Sequence, residues 1–522
     1  MKLLGNILNK LSIQEKIIVV SSIVTVSLCL ILMAIRFNSA ISFSVPMHVI
    51  TSGWEQESLF AMWKYVNGLD IYSSPYEIPY SIAFFNWLFY ETYGQFISII
   101  HNIFDLSGDW IPTTGRLFSI VGLLFGTIIS YSALLSVTNT KNAFLKAVFF
   151  LTAIYLMFGP LIGFWGFTIR SDIWGMVLDI LAVYLFWRFY GTRPYTAVVL
   201  AAIALFCAWS FKHINVYSAV AIGLYLLFSL RIKLLMTLTF VYFLFVSAAL
   251  YIGSFEYLET LFFRPAIYGF DLEHLWMNLK NFVVKSAPTL IPLLVMVFVF
   301  LFSKNMRREI LSREPGKYIV ISILPIFAFT VFIASKNGAA ENYYFVFSFY
   351  VALAAAIFMQ VIFESKEDSP VENSGPTRTA LVVAMITGWN TASLAVLSVL
   401  LGVTGVLSVG GTHERLSQIK SCLSEMPTPV FVPDMYASLP WMNPSDEPII
   451  LSWNYRLERS LGVPFQHGGV GGLIDSGYFA SLLVPETAEE LDGSRMEKYR
   501  ETGKKCIEFN ALVRIDGGGE AP

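Results

Sequence analysis

Long apolar runs dominate this chain between residues 17 and 408. Each has about the length needed to cross a bilayer as a helix, roughly 20 residues. The chain has 522 residues, of which 56% are hydrophobic and only 14% charged. Such a composition cannot cover the surfaces of several soluble domains with polar side chains. We therefore predict an α-helical polytopic membrane protein with about 11 transmembrane helices, at 17–35, 114–136, 143–162, 173–190, 195–211, 214–230, 234–252, 287–303, 318–335, 343–363 and 379–408.

The lysines and arginines of the short loops predict the orientation of the chain in the membrane. A cytoplasmic N-terminus places the basic loop at 304–317, KNMRREILSREPGK, in the cytoplasm. The first apolar run follows Lys10 and Lys16 and has no small-residue cleavage site after it, which is typical of a signal anchor. The only Asn-X-Ser/Thr sequence is at Asn443 and has proline at X, which favours a bacterial inner membrane over a secretory one.

Residues 80–104 are also apolar, but they mix aromatic residues with Glu91, Gln95 and His101. That mixture is typical of a helix that lies in the membrane interface. A further crossing here would invert every later loop and expose the basic loop 304–317 on the outside. We therefore predict an interfacial helix within a long first outer loop, 37–112.

The composition changes at residue 410. We predict a transmembrane domain at 1–409 and a small extracytoplasmic α/β domain at 410–522. This second region is polar and contains short apolar runs of strand length at 429–433, 447–453, 477–485 and 506–515. Cys422 and Cys506 both fall in it, and an extracytoplasmic location permits a disulfide between them without requiring one.

Glu55 and Glu57 begin an amphipathic segment of the first outer loop, WEQESLFAMWKYVNG. Their simplest explanation is negative charge at a helix N-terminus. The functional alternative is a general base that removes a proton from an acceptor hydroxyl. Two acids can also share a divalent metal, although the sequence requires no cofactor.

Other ionisable residues fall at the predicted outer ends of helices, where charge is costly and therefore suggests function. Asp172 is the third candidate catalytic residue. Its functional role would be to orient either the acceptor or the catalytic acid. Charged residues at these helix ends have simple explanations, namely salt bridges, snorkelling or anchoring in the membrane interface. The functional explanation is that they contact a phosphate or a sugar of the substrate. The candidate substrate-binding residues are Lys64, Arg170, Lys212, His213, Arg264, Lys336 and Tyr343. No basic patch with interleaved aromatic residues predicts nucleic-acid binding.

The order of motifs up to residue 363 resembles the GT-C superfamily of membrane glycosyltransferases, which includes mannosyltransferases and aminoarabinose transferases. The first outer loop carries an acid, an amphipathic helix, a glycine, a tyrosine and prolines. A tyrosine-rich helix, an arginine, a second acid, a lysine and a tyrosine pair follow. These matches are Glu55, Gly68, Asp70–Tyr72, Pro75, Pro79, FFNWLFYETYG at 84–94, Arg116, Asp172, Lys212 and NYY at 342–344.

This resemblance implies an enzyme that moves a sugar, with inversion, from a polyprenyl-phosphate donor to an extracytoplasmic lipid, glycan or protein acceptor. Arg170, Lys212 or Arg264 would neutralise the departing phosphate. The family's usual first acid falls on Trp54, so Glu55 is the best match for the base and Glu57 is an additional candidate. The main alternative function is a transporter or flippase for a lipid or polysaccharide, and the third is a structural membrane protein with a sensing outer domain.

Overall fold

The computed structural model describes residues 11–43, 46–47, 55–368 and 413–515. Most of this chain is helical. The α-helices of eight or more residues whose two ends the structure describes, labelled α1 to α15 in chain order, are Ile13–Ala40, Gln56–Val66, Trp87–Phe104, Ile111–Thr138, Ala143–Phe158, Asp172–Tyr190, Pro194–Phe211, Tyr217–Phe228, Ile232–Ile252, Leu272–Phe302, Lys304–Ser312, Glu314–Ala334, Phe345–Asp368, Trp453–Ser460 and Gly469–Ser476.

Eight helices of the described chain are long and apolar enough to cross a membrane, and each coincides with a predicted span. Two further predicted spans, 143–162 and 214–230, form the shorter apolar helices α5 and α8, of 16 and 12 residues. The last, 379–408, lies outside the described residues. The total number of crossings therefore stays a prediction.

Helix α3 is not among the eight, and its position in the membrane interface stays a prediction. It begins at the N-cap Asn86, whose side chain accepts a hydrogen bond from the Trp87 amide, and it packs against α2, α4 and α7. Helix α10 begins at Leu272, well before the predicted start at residue 287. Polar residues in its first turns hide that extension from a search for apolar runs.

The segment Glu341–Phe363 is the most buried of the eight spans, whereas α9 is largely exposed along its length. The buried segment Glu341–Phe363 contains an alanine-rich run, ALAAA at 352–356, which lets neighbouring helices approach it closely. Because α9 turns most of its apolar side chains outward, its surface suits contact with lipid.

The C-terminal region contains a four-stranded sheet in the order β1-β2-β4-β3. Strands β1 and β2 are parallel, and the other two pairs are antiparallel. The strands are Val430–Phe431, Ser481–Pro485, Tyr499–Cys506 and Phe509–Arg514. The predicted run 447–453 forms no strand and instead leads into α14, whereas β3 is an additional strand that its charged sequence did not predict.

One link lies within the C-terminal region and a second attaches it to the helices of the first loop. A disulfide, which the sequence only permitted, joins Cys422 at the end of helical residues 413–423 to Cys506 on β3. The apolar face of residues 413–423, with Leu416 and Ile419, packs in one core with Leu59 on α2 and Ile97 on α3. This shared core fixes the C-terminal region directly above α2 and α3.

Candidate active site

A cavity of about 210 Å³ lies at the end of the helices nearest the C-terminal region. Its walls come from α2, the turn before α6, the end of α7, the segments 265–268 and 332–343, and α14. It brings together residues that are far apart in the sequence. Six of the predicted site residues line it, namely Glu57, Arg170, Lys212, His213, Lys336 and Tyr343.

Glu55 does not line this cavity. It is fully buried at the N-cap of α2, where the Arg116 guanidinium donates to both of its oxygens, at 3.1 and 2.7 Å. The Ile169 amide donates a third hydrogen bond, at 2.8 Å. The bidentate arginine and the backbone amide occupy three of the roughly four acceptor positions of this carboxylate, and neither of its oxygens faces the cavity. The geometry therefore does not support Glu55 as the base, and indicates that it ties α2 to α4.

Glu57 faces the cavity and has only uncharged hydrogen-bond donors. Its carboxyl accepts from the Ile82 amide at 2.8 Å and from the Asn454 side chain at 3.4 Å. Burial raises the pKa of Glu57 to about 7, although hydrogen bonds from Ser452, Ile82 and Asn454 oppose the rise. A carboxyl that titrates near neutral pH in a cavity is suited to accept a proton.

Asp172 lies behind the cavity wall and holds three of its polar side chains. Its carboxylate accepts from Arg170 at 3.0 Å, from Lys212 at 2.6 Å and from Asn342 at 2.7 Å. Asp172 begins α6 and Lys212 ends α7, so each charge complements the dipole at its helix terminus. Asp172 itself does not line the cavity, and its carboxylate oxygens face the two cations and Asn342, so a direct catalytic role for Asp172 stays a prediction.

Three cations, Arg170, Lys212 and Lys336, line the cavity, and we call them the cavity cations. Aromatic rings flank the first two: Arg170 lies 5.1 Å from the Phe85 ring, and Lys212 lies 4.3 Å from the Tyr343 ring. Among the described residues, Lys336 forms no ion pair with a carboxylate, and its ammonium contacts the Pro265 carbonyl at 3.4 Å. Asp172 pairs with two of the three cavity cations, so positive charges outnumber this negative charge at the site.

Two uncharged side chains offer further hydrogen-bonding atoms. Burial, with help from Lys212 and Lys336, lowers the pKa of His213 to about 4, so its imidazole is neutral at physiological pH. Its Nδ1 atom has no described hydrogen-bond partner, and neither has Oδ1 of Asn342, a residue only 5% exposed. Buried polar atoms without partners are costly, so they favour a polar ligand at this position.

Two predicted substrate-binding residues lie outside the cavity. Lys64 donates to the Ser73 hydroxyl at 2.8 Å, and burial lowers its pKa. Arg264 is fully buried, forms an ion pair with Glu458 of α14 and lies 3.8 Å from the Tyr76 ring. The structure thus places both side chains in contacts within the first loop and with α14, and their predicted role in substrate binding stays a prediction.

The C-terminal region contributes two cavity residues that the sequence did not indicate, Trp453 and Asn454. Asn454 lies 397 positions from Glu57, so no local pattern could connect them. Gly338 adopts a positive φ of 82°, and a Cβ atom there would lie 2.7 Å from Cη2 of Trp453. The absence of a side chain at 338 therefore allows α14 to close over the loop before α13.

No described cluster of three His, Cys, Asp or Glu side chains is arranged to bind a metal ion.

No known protein-family model matches the sequence, and no curated protein sequence matches it.

The solved structures with a similar fold include three that overlap most of this chain. ArnT from Cupriavidus metallidurans in the apo state has a TM-score of 0.53 and 12% identity, over 94% of this chain and 97% of that chain. The Archaeoglobus fulgidus oligosaccharyltransferase in the apo form has a TM-score of 0.53 and 15% identity, over 94% and 73%. The archaeal oligosaccharyltransferase AglB from Archaeoglobus fulgidus, in complex with an inhibitory peptide and a dolichol-phosphate, has a TM-score of 0.51 and 12% identity, over 84% and 64%.

ArnT and AglB are members of the GT-C superfamily. The similarity to ArnT covers nearly the whole of both chains, including the C-terminal region. It confirms the predicted fold class, a polytopic α-helical membrane protein with a small C-terminal α/β region. The chain therefore has the GT-C fold that the motifs of its first loop and later helix ends predicted.

Proposed function

We propose that this protein is a membrane glycosyltransferase that moves a sugar from a polyprenyl-phosphate donor to an acceptor hydroxyl. One observation supports this most directly: a single cavity combines three cations with one buried carboxyl that titrates near pH 7. The cations suit a phosphate, and the carboxyl suits the removal of a proton.

The donor would place its phosphate against the cavity cations. Lys212 and Arg170 form ion pairs with Asp172, whereas Lys336 forms no ion pair with a carboxylate among the described residues. Phe332 also lines the cavity and is 57% exposed, so this wall opens toward the apolar surface of α12, where a polyprenyl tail would lie. AglB was solved with a dolichol-phosphate, a ligand of the same chemical class, which is consistent with this assignment.

In the proposed reaction, Glu57 accepts the proton of the acceptor hydroxyl as its oxygen attacks the anomeric carbon. The bond between that carbon and the phosphate oxygen breaks, and its electron pair leaves with the phosphate. The cavity cations stabilise the developing negative charge. Attack from the face opposite the phosphate inverts the anomeric centre. Asp172 acts as a positioning residue, because it holds Arg170, Lys212 and Asn342 without facing the reacting atoms.

The proposed location follows from the charge of the loops. The basic loop 304–317 favours a cytoplasmic position for that loop, and this supports a cavity and a C-terminal region on the extracytoplasmic side of a bacterial inner membrane. The acceptor would then be a lipid, glycan or protein on that side. The domain boundary near residue 410 belongs to the same proposal.

The test measures release of polyprenyl phosphate by the purified protein. The reaction contains a panel of polyprenyl-phosphate sugars as donors and a cell-envelope extract that contains lipid, glycan and protein acceptors. We expect turnover by the wild type and a loss of about 10²–10⁴-fold in Glu57→Gln, the usual contribution of a general base. The matched control is Glu77→Gln, which alters an exposed acid of the same loop. Retained turnover in Glu57→Gln would show that Glu57 is not the base. Absence of both binding and cleavage for every donor would favour the transporter.

A further inference from the structure

Two consecutive residues of α2 are held by one short segment of the C-terminal region. Gln56 donates to the Leu451 carbonyl at 3.2 Å and to the Ser438 hydroxyl at 3.3 Å. Glu57 accepts from Asn454 at 3.4 Å and is hydrogen-bonded to Ser452. The first turn of α2 is therefore docked on residues 451–454, which join the sheet region to α14.

Helix α14 is itself fixed from several sides. One turn beyond Asn454, Glu458 pairs with Arg264 and accepts from the Tyr268 hydroxyl at 2.6 Å. Tyr455 stacks on Tyr80 and donates to Asp492 at 2.7 Å. A residue at the start of such a helix has a defined position, so its contact with Glu57 is built into the fold.

We propose that Asn454 is a positioning residue for the base, so that the reaction site is shared between the membrane helices and the C-terminal region. This inference rests on the proposed role of Glu57. Asn454 donates its amide N–H toward Glu57 Oε1, and its side chain also lines the cavity. A donor at this position holds the carboxylate in one orientation toward the acceptor and stabilises its charged form.

The effect can be separated from the other charges around Glu57. Beside the cavity cations, the charged or titratable groups that face it are Lys64 on α2, Tyr90 on α3, Tyr268, and Glu458 on α14. His213 stays neutral across the working range because its pKa is lowered to about 4. None of these groups changes when Asn454 is replaced, so a shift in the pH dependence reports the contact with Asn454.

The experiment is the pH–rate profile of kcat/KM for Asn454→Leu and Asn454→Asp in the full-length protein. Loss of the donor disfavours the charged base, so we expect the midpoint of the acid limb to rise by about half to one pH unit in Asn454→Leu. Asn454→Asp places a second carboxyl beside Glu57 and raises the midpoint further. Below the midpoint, turnover falls about 3–10-fold in Asn454→Leu and recovers at high pH.

Ser460→Ala is the matched control, because Ser460 lies on the exposed side of α14 and bonds only to its own helix. We expect it to leave the profile unchanged. Asn454→Asp has the shape of the native side chain and keeps the test valid if Asn454→Leu does not fold. An equal loss at every pH, or an unmoved midpoint beside an inactive Glu57→Gln, would overturn the inference alone. An active Glu57→Gln would overturn the proposed base and this inference together.

Discussion

Glu55 and Glu57 are both buried acids of the same short helix, yet they lie in opposite kinds of environment. Glu55 meets a guanidinium that matches its charge and both of its oxygens. Glu57 meets only uncharged donors and borders a cavity. The comparison teaches that burial alone does not identify a catalytic acid. The partners decide, because a guanidinium matches the charge of a buried carboxylate and holds it in place, whereas uncharged donors leave the burial of Glu57 uncompensated.

The surroundings of Glu55 and those of Glu57 are also physically linked. The Glu55–Arg116 pair and the hydrogen bond to Ile169 hold the N-terminus of α2 against α4 and the turn before α6. That turn carries Arg170, one of the cavity cations. The Glu55–Arg116 pair therefore links the helix that carries Glu57 to the turn that carries Arg170.

The largest expected effect tests the Glu55–Arg116 pair. Arg116→Met leaves the Glu55 carboxylate buried without its partner, so we expect a loss of about 3–5 kcal/mol in stability. Thermal unfolding of the purified protein measures it. The double variant Glu55→Gln, Arg116→Met removes both charges and should recover most of the loss. Arg495→Met is the control, since Arg495 is 77% exposed. Wild-type stability in Arg116→Met would show that the pair does not hold α2.

The second effect tests Glu57 through stability. Its pKa is raised from 4.5 to about 7, so the folded protein binds the proton more tightly than the unfolded chain does. The charged form therefore destabilises the fold fully above pH 7, and this penalty vanishes below pH 4.5. The difference corresponds to roughly 3 kcal/mol.

Glu57→Gln should thus raise the melting temperature at pH 8 and change it little at pH 4.5. The same comparison in Glu77→Gln, an exposed acid of the same loop, should show no such pH dependence. A lower melting temperature of Glu57→Gln at pH 8 would mean that a positive charge stabilises Glu57, which would make it resemble Glu55.

The smallest effect separates the cavity cations. Lys336→Met removes a charge that forms no ion pair with a carboxylate in the part of the chain that the structure describes. We therefore expect little change in melting temperature. The KM for the donor should rise about tenfold, equal to 1.4 kcal/mol. Lys212→Met should raise KM similarly and also lower the melting temperature, because Asp172 loses a partner at 2.6 Å. Equal melting temperatures in the two variants would argue against the Asp172 cluster as described.

The sequence predicted the membrane helices well, because lipid requires long apolar helices whatever their packing. It predicted the cavity less well. Residues two positions apart on a helix face different sides, and nothing local shows which side meets the cavity, so Glu55 and Glu57 could not be separated. Arg170 and Lys212 were identified because charge at a helix end is conspicuous. Asn454 was not, because its role arises from a contact across most of the chain.

The close approach of Gly338 to Trp453 has a consequence for how related sequences can vary. Any side chain at 338 would collide with the indole, and the positive φ of Gly338 disfavours other residues as well. A larger residue at one position therefore requires a smaller one at the other. The two positions must change as a pair, so correlated substitution between a membrane loop and the C-terminal helix would be the evolutionary record of this docking.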